Sequence, residues 1–372
     1  MGSALLVSVI LPVRNEAKSL PRLLSSLLRQ DFPAGDFEII VADGASTDNT
    51  RDIVRKAASE SAVTVTLINN PGIRSGPGRN AGITAARGEY ILFIDGHCHI
   101  PSPLLLRDTV LLFKQMHADC LCRPQPLLAP TNSSFGKAVA AARASVLGHG
   151  RDSLIYDMAR SGFVDPASSG AAYHRSVFVK LGLYDESFDA CEDVEFNTRV
   201  RKAGMRAYTD PRLAIFYEPR SSPSSLFKQM VRYGRGRTRL ILKHADSASA
   251  GQIAPAILAL WIAGALVAYL TRDHIGLWLQ WTLLMPVALY LAIVFLSSIG
   301  LALKSSARLL YQGPAIYVAI HLGLGIGLLA ESVRQARFFL TGKSPMLRAV
   351  GKAIVRTSRM LADKMLQMEP RA

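Results

Sequence analysis

Residues 90–99 read YILFIDGHCH: four apolar residues (Ile91, Leu92, Phe93, Ile94) run without alternation into Asp95, Gly96 and His97. An unbroken apolar run of this kind marks a strand buried on both faces. Its polar end falls at the carboxyl edge, where open α/β sheets bind their ligands. The stretch thus delivers a carboxylate, a glycine and an imidazole to one rim. Asp95 and His97, with one small residue between them, suit a divalent cation, or a ribose together with that cation. A plain Asx turn closing a strand is the simpler reading, and the flanking sequence weighs against it.

Upstream, a strand, turn and helix unit recurs. Residues 5–13 form a β-branched run that ends in Arg14, Asn15 and Glu16, and Leu20, Leu23, Leu24, Leu27 and Leu28 follow at helical spacing. Residues 37–42 are again apolar, 43–48 form a polar turn, and Thr47 or Asp48 is placed to cap a helix through Ser59. A strand over 63–68 leads to the glycine-rich stretch 71–82, PGIRSGPGRNAG, read as a loop before a helix through Ala86. Such alternation predicts the α/β class, with right-handed crossovers and a mainly parallel sheet, so that Asp43 and Asp95 converge on one edge. Arg74 and Arg79 in the glycine-rich stretch suit a phosphate, although a plain turn explains the glycine spacing equally well. There is no G-x-G-x-x-G after the first strand and no P-loop motif, which counts against a dinucleotide oxidoreductase and a P-loop enzyme.

Charge and hydropathy divide the 372 residues unevenly. The first 245 read as a soluble α/β domain, whereas 253–330 are nearly all apolar, and the net charge of +15 is concentrated in basic runs on either side of the apolar part. That placement points to anionic lipid headgroups. With no zinc-finger spacing, RNP motif or basic heptad array, nucleic acid is not an expected partner. Cys98, Cys120, Cys122 and Cys191 show no metal-type pairing and are expected as reduced thiols of a cytosolic domain. Residues 5–13 are too short, and lack the basic leader, for a signal peptide.

The blocks VSVILPVRNE, EIIVADGASTDNT, GRNAGITAARGEYILFIDGH, SGAAYHRSVFVKLGLYDESF and CEDVEFNTRV, in that order, resemble family 2 glycosyltransferases, inverting enzymes of GT-A fold. Within that family the chain looks most like the ExoA type of exopolysaccharide (succinoglycan) transferase. The resemblance implies that Asp43 pairs with the base of a UDP-sugar and that Pro12, Val13, Asn15 and Glu16 border the nucleoside. It places the D-x-D motif on Asp95, Gly96 and His97, the first for sugar or ribose and the last for a divalent metal, Mn²⁺ or Mg²⁺. It places the E-D motif on Glu192 and Asp193, with Asp193 as general base under the acceptor hydroxyl. Two positions depart from the family wording: Gly44 stands where a second aspartate is usual, and His97 replaces the second aspartate of D-x-D. Imidazole favours Mn²⁺ or a borderline metal over Mg²⁺, so the metal's identity stays open. Taken alone, carboxylates in a first helical turn also complement the helix dipole.

Downstream, a helix over 101–116, a short strand over 118–123, a helix over 135–147 walling the acceptor side and a mobile loop over 151–168 are expected. The small residues 168–172 fit either a sugar ring or close packing. Residues 220–243 carry seven basic residues and no acidic one, with an apolar face suited to a membrane surface. There, Gln229, Arg232 and Tyr233 resemble the Q-x-x-R-W motif of membrane polysaccharide synthases, which puts Arg232 near the diphosphate or the acceptor. Segments 253–270, 275–302 and 314–330 have roughly spanning length, and the link 271–274 forces the first two into a hairpin. A third full span would place the basic tail outside, against the positive-inside rule. Either that segment, with its glycines at 323, 325 and 327, is re-entrant, or the tail is an exception.

The expected organisation is a catalytic domain over 1–219, a basic interfacial segment over 220–250, two or three membrane segments over 251–331 and a basic tail over 332–372. The expected function is transfer of a hexose from a UDP-sugar to a lipid-linked saccharide at the inner membrane, with a cytosolic catalytic domain. A nucleotidyltransferase and a non-catalytic membrane scaffold are the rivals.

Overall fold

The computed structural model describes residues 5–130, 133–149 and 154–341. Three strand-helix units open the chain: β1 (Val7–Val13), α1 (Leu20–Leu28), β2 (Phe37–Asp43), α2 (Thr50–Glu60), β3 (Thr64–Asn69) and α3 (Ser75–Ala85), followed by β4 (Tyr90–Phe93). β1 pairs in parallel with β2 on one side and β4 on the other, and β3 flanks β2. The strand order therefore reverses between β1 and β4, and a switch point of this kind opens a crevice at the carboxyl ends. β4 stays paired with β1 only as far as Phe93 opposite Ile10. Pro12, which has no N–H to offer, is thus tolerated in a central strand.

Beyond β4 the sheet is mixed. β4 pairs antiparallel with β8 (Gly170–His174), which pairs antiparallel with β6 (Cys120–Cys122). β6 then pairs in parallel with β9 (Ala207–Thr209), and β9 antiparallel with the edge strand β7 (Gly162–Val164). Two reversals return β6 to the direction of β1, so Arg123 just after it emerges at the same edge as Asp43 and Asp95. A separate ribbon of β5 (Cys98–His99) and β10 (Phe216–Tyr217) closes the turn behind Asp95. Helices α4 (Leu105–Met116), α7 (Arg175–Leu181) and α8 (Glu192–Lys202) complete the domain, whereas α5 (Ser134–Arg143) and α6 (Val146–His149) pack with the apolar helices at the carboxyl-terminal end.

Each face of the sheet is covered. Leu20, Leu23 and Leu27 of α1 pack on alternate residues of β1 and β2, all fully buried, and each contributes about 1.5–3 kcal/mol by burial. On the other face Phe93, Tyr173, Phe178, Tyr184 and Phe196 form an aromatic core, with Tyr184 and Phe196 stacked at 4.6 Å. All four cysteines are buried and none forms a disulfide.

Three expectations are corrected. The stretch 71–82 is a loop only up to Arg74; from Ser75 it is helix α3. Its glycines serve packing: a Cβ on Gly82 would lie 2.3 Å from Ile10 Cγ2 and one on Gly78 2.9 Å from Asn70 Nδ2. Part of the loop read over 151–168 is ordered as a 3₁₀ turn, Leu154–Tyr156, and as β7, while 151–153 lie outside the described residues. The third correction concerns the carboxyl-terminal helices α9 (Pro223–Lys243), α10 (Ala250–Leu270), α11 (Leu277–Lys304) and α12 (Leu309–Leu340). Gly323, Gly325 and Gly327 do not break the last segment, because α12 is one continuous helix of 32 residues.

Those glycines admit other helices instead. A Cβ on Gly327 would come within 2.2 Å of the Val231 carbonyl oxygen, and one on Gly234 of α9 within 2.2 Å of that of Leu324. Arg239 of α9 locks the contact through Glu331, at 2.8 Å, with Glu331 buried. α9 therefore gives one side to α12 rather than only resting on a surface. Helices α10, α11 and α12 are each long and apolar enough to cross a membrane. The first two expose most of their apolar side chains, Trp278 and Trp281 among them, whereas half of the most apolar stretch of α12 is buried against protein. The tail beyond 341 lies outside the described residues.

Candidate functional site at the carboxyl edge of the sheet

Arg79 is the hub of the edge. From α3 it donates to Glu192 Oε1 at 3.0 Å and to Asp95 Oδ1 at 3.4 Å, with its guanidinium over the rings of Phe93 and Tyr184. One cation thus joins the end of β4 to the first turn of α8. Cys191, held in the left-handed region at φ 64°, turns the chain so that Glu192 and Asp193 occupy that turn. Asp193 is half-buried beside Arg79, and its Oδ1 accepts from the Val194 N–H at 2.8 Å. Expected as a phosphate ligand, Arg79 is here committed to two carboxylates; Arg74 is exposed at the turn before α3.

Charge sharing sets the two carboxylates apart. Burial pushes Asp95 up, but Arg79, then His97 and Arg123, outweigh it and hold the carboxyl below its usual range. For Glu192, burial and the neighbouring Asp193 prevail over Arg79, and the carboxyl is pushed up from 4.5 to about 7. The native state therefore holds a proton that the unfolded chain releases near pH 4.5, so this group's contribution to stability is full below that pH and is lost as pH rises through about 7. Between pH 5 and 8 wild-type protein is expected to lose up to about 3 kcal/mol relative to Glu192→Gln. Thermal midpoints of both proteins across that range check it, and parallel pH profiles would contradict it.

His97 is held by a residue distant in sequence. Its Nδ1 lies 2.8 Å from Glu16 Oε1, and Glu16 also accepts from Ser19 Oγ. Burial alone would lower the imidazole's pKa, yet the Glu16 hydrogen bond and the charges of Asp95 and Glu16 raise it. Its other nitrogen, Nε2, is buried without a partner. Gly96 makes room for this pairing, since a Cβ there would sit 2.9 Å from Glu16 Cγ and 3.1 Å from Val13 Cγ1. Among the described residues no three His, Cys, Asp or Glu side chains gather closely enough to enclose a metal on their own.

From Glu16 the rim continues to Asp43. Asn15, at φ 56°, accepts from Thr47 N–H at 2.8 Å, and its own N–H donates to Ser46 Oγ at 2.9 Å. Asp43 Oδ2 accepts from Arg51 at 2.8 Å, whereas its Oδ1 is buried and unpartnered. Asp43 ends β2, two strands from β4, or about 10 Å across the sheet.

Two features escaped sequence reading. Arg123 is 4% exposed, with Nε and Nη1 unpartnered, and its charge acts on Asp95. The rule that named Asp43 and Asp95, a polar residue at the end of a strand, would have found it once the direction of β6 was known. Glu195 is fully buried and holds Lys243 at 2.8 Å, Arg199 at 3.0 Å and His244 at 3.1 Å, which pins the end of α9 to α8. On α9 itself, Gln229 donates to the Tyr233 hydroxyl at 3.2 Å and Arg232 is exposed.

A parallel half-sheet continued by antiparallel strands, with carboxylates and cations at its switch point and apolar helices behind, defines a GT-A glycosyltransferase. The family model described as Glycosyl transferase family 2 matches residues 8–182. Succinoglycan biosynthesis protein ExoA of Rhizobium meliloti (strain 1021) is 31% identical over 280 residues, 73% of this chain and 81% of that protein. A dolichyl N-acetyl-alpha-D-glucosaminyl phosphate 3-beta-D-2,3-diacetamido-2,3-dideoxy-beta-D-glucuronosyltransferase of Methanococcus voltae is 26% identical over 246 residues, 64% of this chain and 74% of that one. Among solved structures, mannosyltransferase PcManGT from Pyrobaculum calidifontis, in complex with GDP-Man and Mn²⁺, shares the fold at a TM-score of 0.54 and 20% identity, over 88% of this chain and 86% of that one. The chain belongs to glycosyl transferase family 2.

Proposed function

We propose that the protein is a membrane-anchored inverting hexosyltransferase. It would move a sugar from a UDP-sugar to a prenyl-diphosphate-linked saccharide in exopolysaccharide or cell-envelope glycan synthesis, with the catalytic domain on the cytosolic side of the inner membrane. The observation that carries the reading is Arg79 bridging Asp95 and Glu192, which sets the strand-end carboxylate and Asp193 on one crevice. The ExoA relative supports the pathway class, and the dolichyl-named relative supports a lipid-linked acceptor.

In this scheme Asp43, through its unpartnered Oδ1, accepts from the N–H edge of the uracil, and Pro12, Val13, Asn15 and Glu16 wall the nucleoside. Asp193 takes the proton of the acceptor hydroxyl as its oxygen bonds the anomeric carbon and the bond to the diphosphate breaks on the opposite face. Arg123, buried with spare donors, stabilises the departing diphosphate. Asp95 and Nε2 of His97 fit Mn²⁺ or Mg²⁺, with Glu16 orienting the imidazole. A cation there, when bound, offsets charge on the leaving group.

Membranes containing the full chain, given a panel of radiolabelled UDP-sugars and a polyprenyl-diphosphate saccharide, test the reading directly. Label should pass to the lipid fraction from one donor, and a protein inert with every UDP-sugar would overturn the donor class. In the same assay His97→Ala is expected to raise the half-maximal Mn²⁺ concentration about 10-fold or more; indifference to both the substitution and the metal would remove the metal from the scheme.

A further inference from the structure

Three guanidinium groups whose charges, like that of Asp193, act on Cys191 or Tyr233 pair with no carboxylate among the described residues: Arg143, Arg232 and Arg237. They come from two helices that packing brings to one place. α9 meets the turn before α8 at Tyr233–Gly236, where Cys191 Sγ lies 3.8 Å from the Tyr233 carbonyl oxygen and a Cβ on Gly236 would sit 2.5 Å from that of Ala190. Arg232 and Arg237 flank this contact, two to three residues from Asp193 along the chain it touches. α5 packs on α12, and Ala138, Val139 and Ala142 of α5 share one core with Ile316 and Tyr317 of α12 and Leu226 and Met230 of α9, which leaves Arg143 close enough for its charge to act on Tyr233 of α9.

The surroundings are enclosed rather than open. Arg143 and Arg237 are half-buried, and the Arg143 guanidinium lies 6.0 Å from the Tyr156 ring, which the His149 ring meets at 4.9 Å. Burial, with Arg143 and Arg237 nearby, pushes His149 down to about 3, so it stands there as a neutral imidazole. Arg237 Nη1 reaches the Gln252 amide oxygen at 3.0 Å, in the amide orientation that also lets Gln252 donate to the Ser247 carbonyl. Gln252 lies in the first turn of α10, so the cluster opens where the apolar helices begin. Lys228 and Arg235, exposed on the same helix, suit headgroups; the half-buried forks of Arg143 and Arg237, with the exposed Arg232 at their rim, suit one phosphate group held by several bonds.

We propose that Arg143, Arg232 and Arg237 form an acceptor-side subsite for the diphosphate of a prenyl-linked saccharide. The inference rests on the transferase reading and adds to it the group that anchors the acceptor beside the base. Two or three cations facing one diphosphate match its charge, and the prenyl chain then runs toward α10.

Full-length protein in phosphatidylcholine nanodiscs, titrated with farnesyl diphosphate, tests the subsite without any transfer step. Wild-type protein should bind the probe, and Arg143→Gln combined with Arg237→Gln should weaken binding at least 20-fold with UDP affinity kept within twofold. If the double variant does not fold, the single changes Arg143→Lys and Arg237→Lys keep charge and remove the fork; each should weaken binding several-fold, and no weakening overturns the proposal. Equal affinity of wild type and double variant also overturns it. So does a loss seen only as reduced partition onto phosphatidylglycerol vesicles, which would make the arginines a headgroup site. Failure of the transferase reading would instead show in the UDP-sugar assay, with farnesyl diphosphate binding intact.

Discussion

Asp193→Asn should lower the rate of sugar transfer by about 10²–10⁴-fold while UDP binding and thermal stability stay close to wild type. Positioned proton acceptors contribute that range, and asparagine keeps the shape and the hydrogen bond from the Val194 N–H while losing the basic lone pair. Arg79, which bridges Asp95 and Glu192, stands beside this position. A variant with unimpaired transfer would remove Asp193 from the chemistry. Loss of transfer together with loss of UDP binding would indicate a misassembled edge instead.

The second large effect concerns Arg79. Its side chain is 10% exposed and joins Glu192, 9% exposed, to Asp95. Arg79→Met fills similar space but strands two carboxylates in a site closed to most solvent. Removing one partner of a buried ion pair costs about 3–5 kcal/mol, so the thermal midpoint should fall by roughly 5–15 °C. The two carboxylates should then share a proton, so the loss should shrink at lower pH, where both are neutral. A midpoint unchanged at pH 8 would show that Arg79 does not hold the edge together.

Much of this edge was legible because its signals are local. The run into Asp95 and the apolar strand before Asp43 fix where polar residues emerge from a parallel sheet, and the structure sets both at that edge. Arg123 was not legible, since β6 is only three residues long and its direction follows from two antiparallel pairings that no periodicity displays. Glycine misled twice for one reason. At Gly78 and Gly82 it reads as loop and at Gly323–Gly327 as a break, yet in each case a neighbouring segment occupies the space a Cβ would need. Close packing between segments distant in sequence leaves the same residue behind as a turn. The tie of Glu195 to Lys243 and His244 was hidden likewise, because a third carboxylate in a helical turn looks like dipole compensation until its partners are in place.

The most direct measurement is a structure of the full chain with UDP and Mn²⁺ in a lipid nanodisc. The account predicts the uracil against Asp43 Oδ1, the diphosphate between Arg123 and the pair Asp95 and His97, and the Asp193 carboxylate facing the same crevice. UDP bound elsewhere, or Asp193 turned away from the diphosphate, would contradict it.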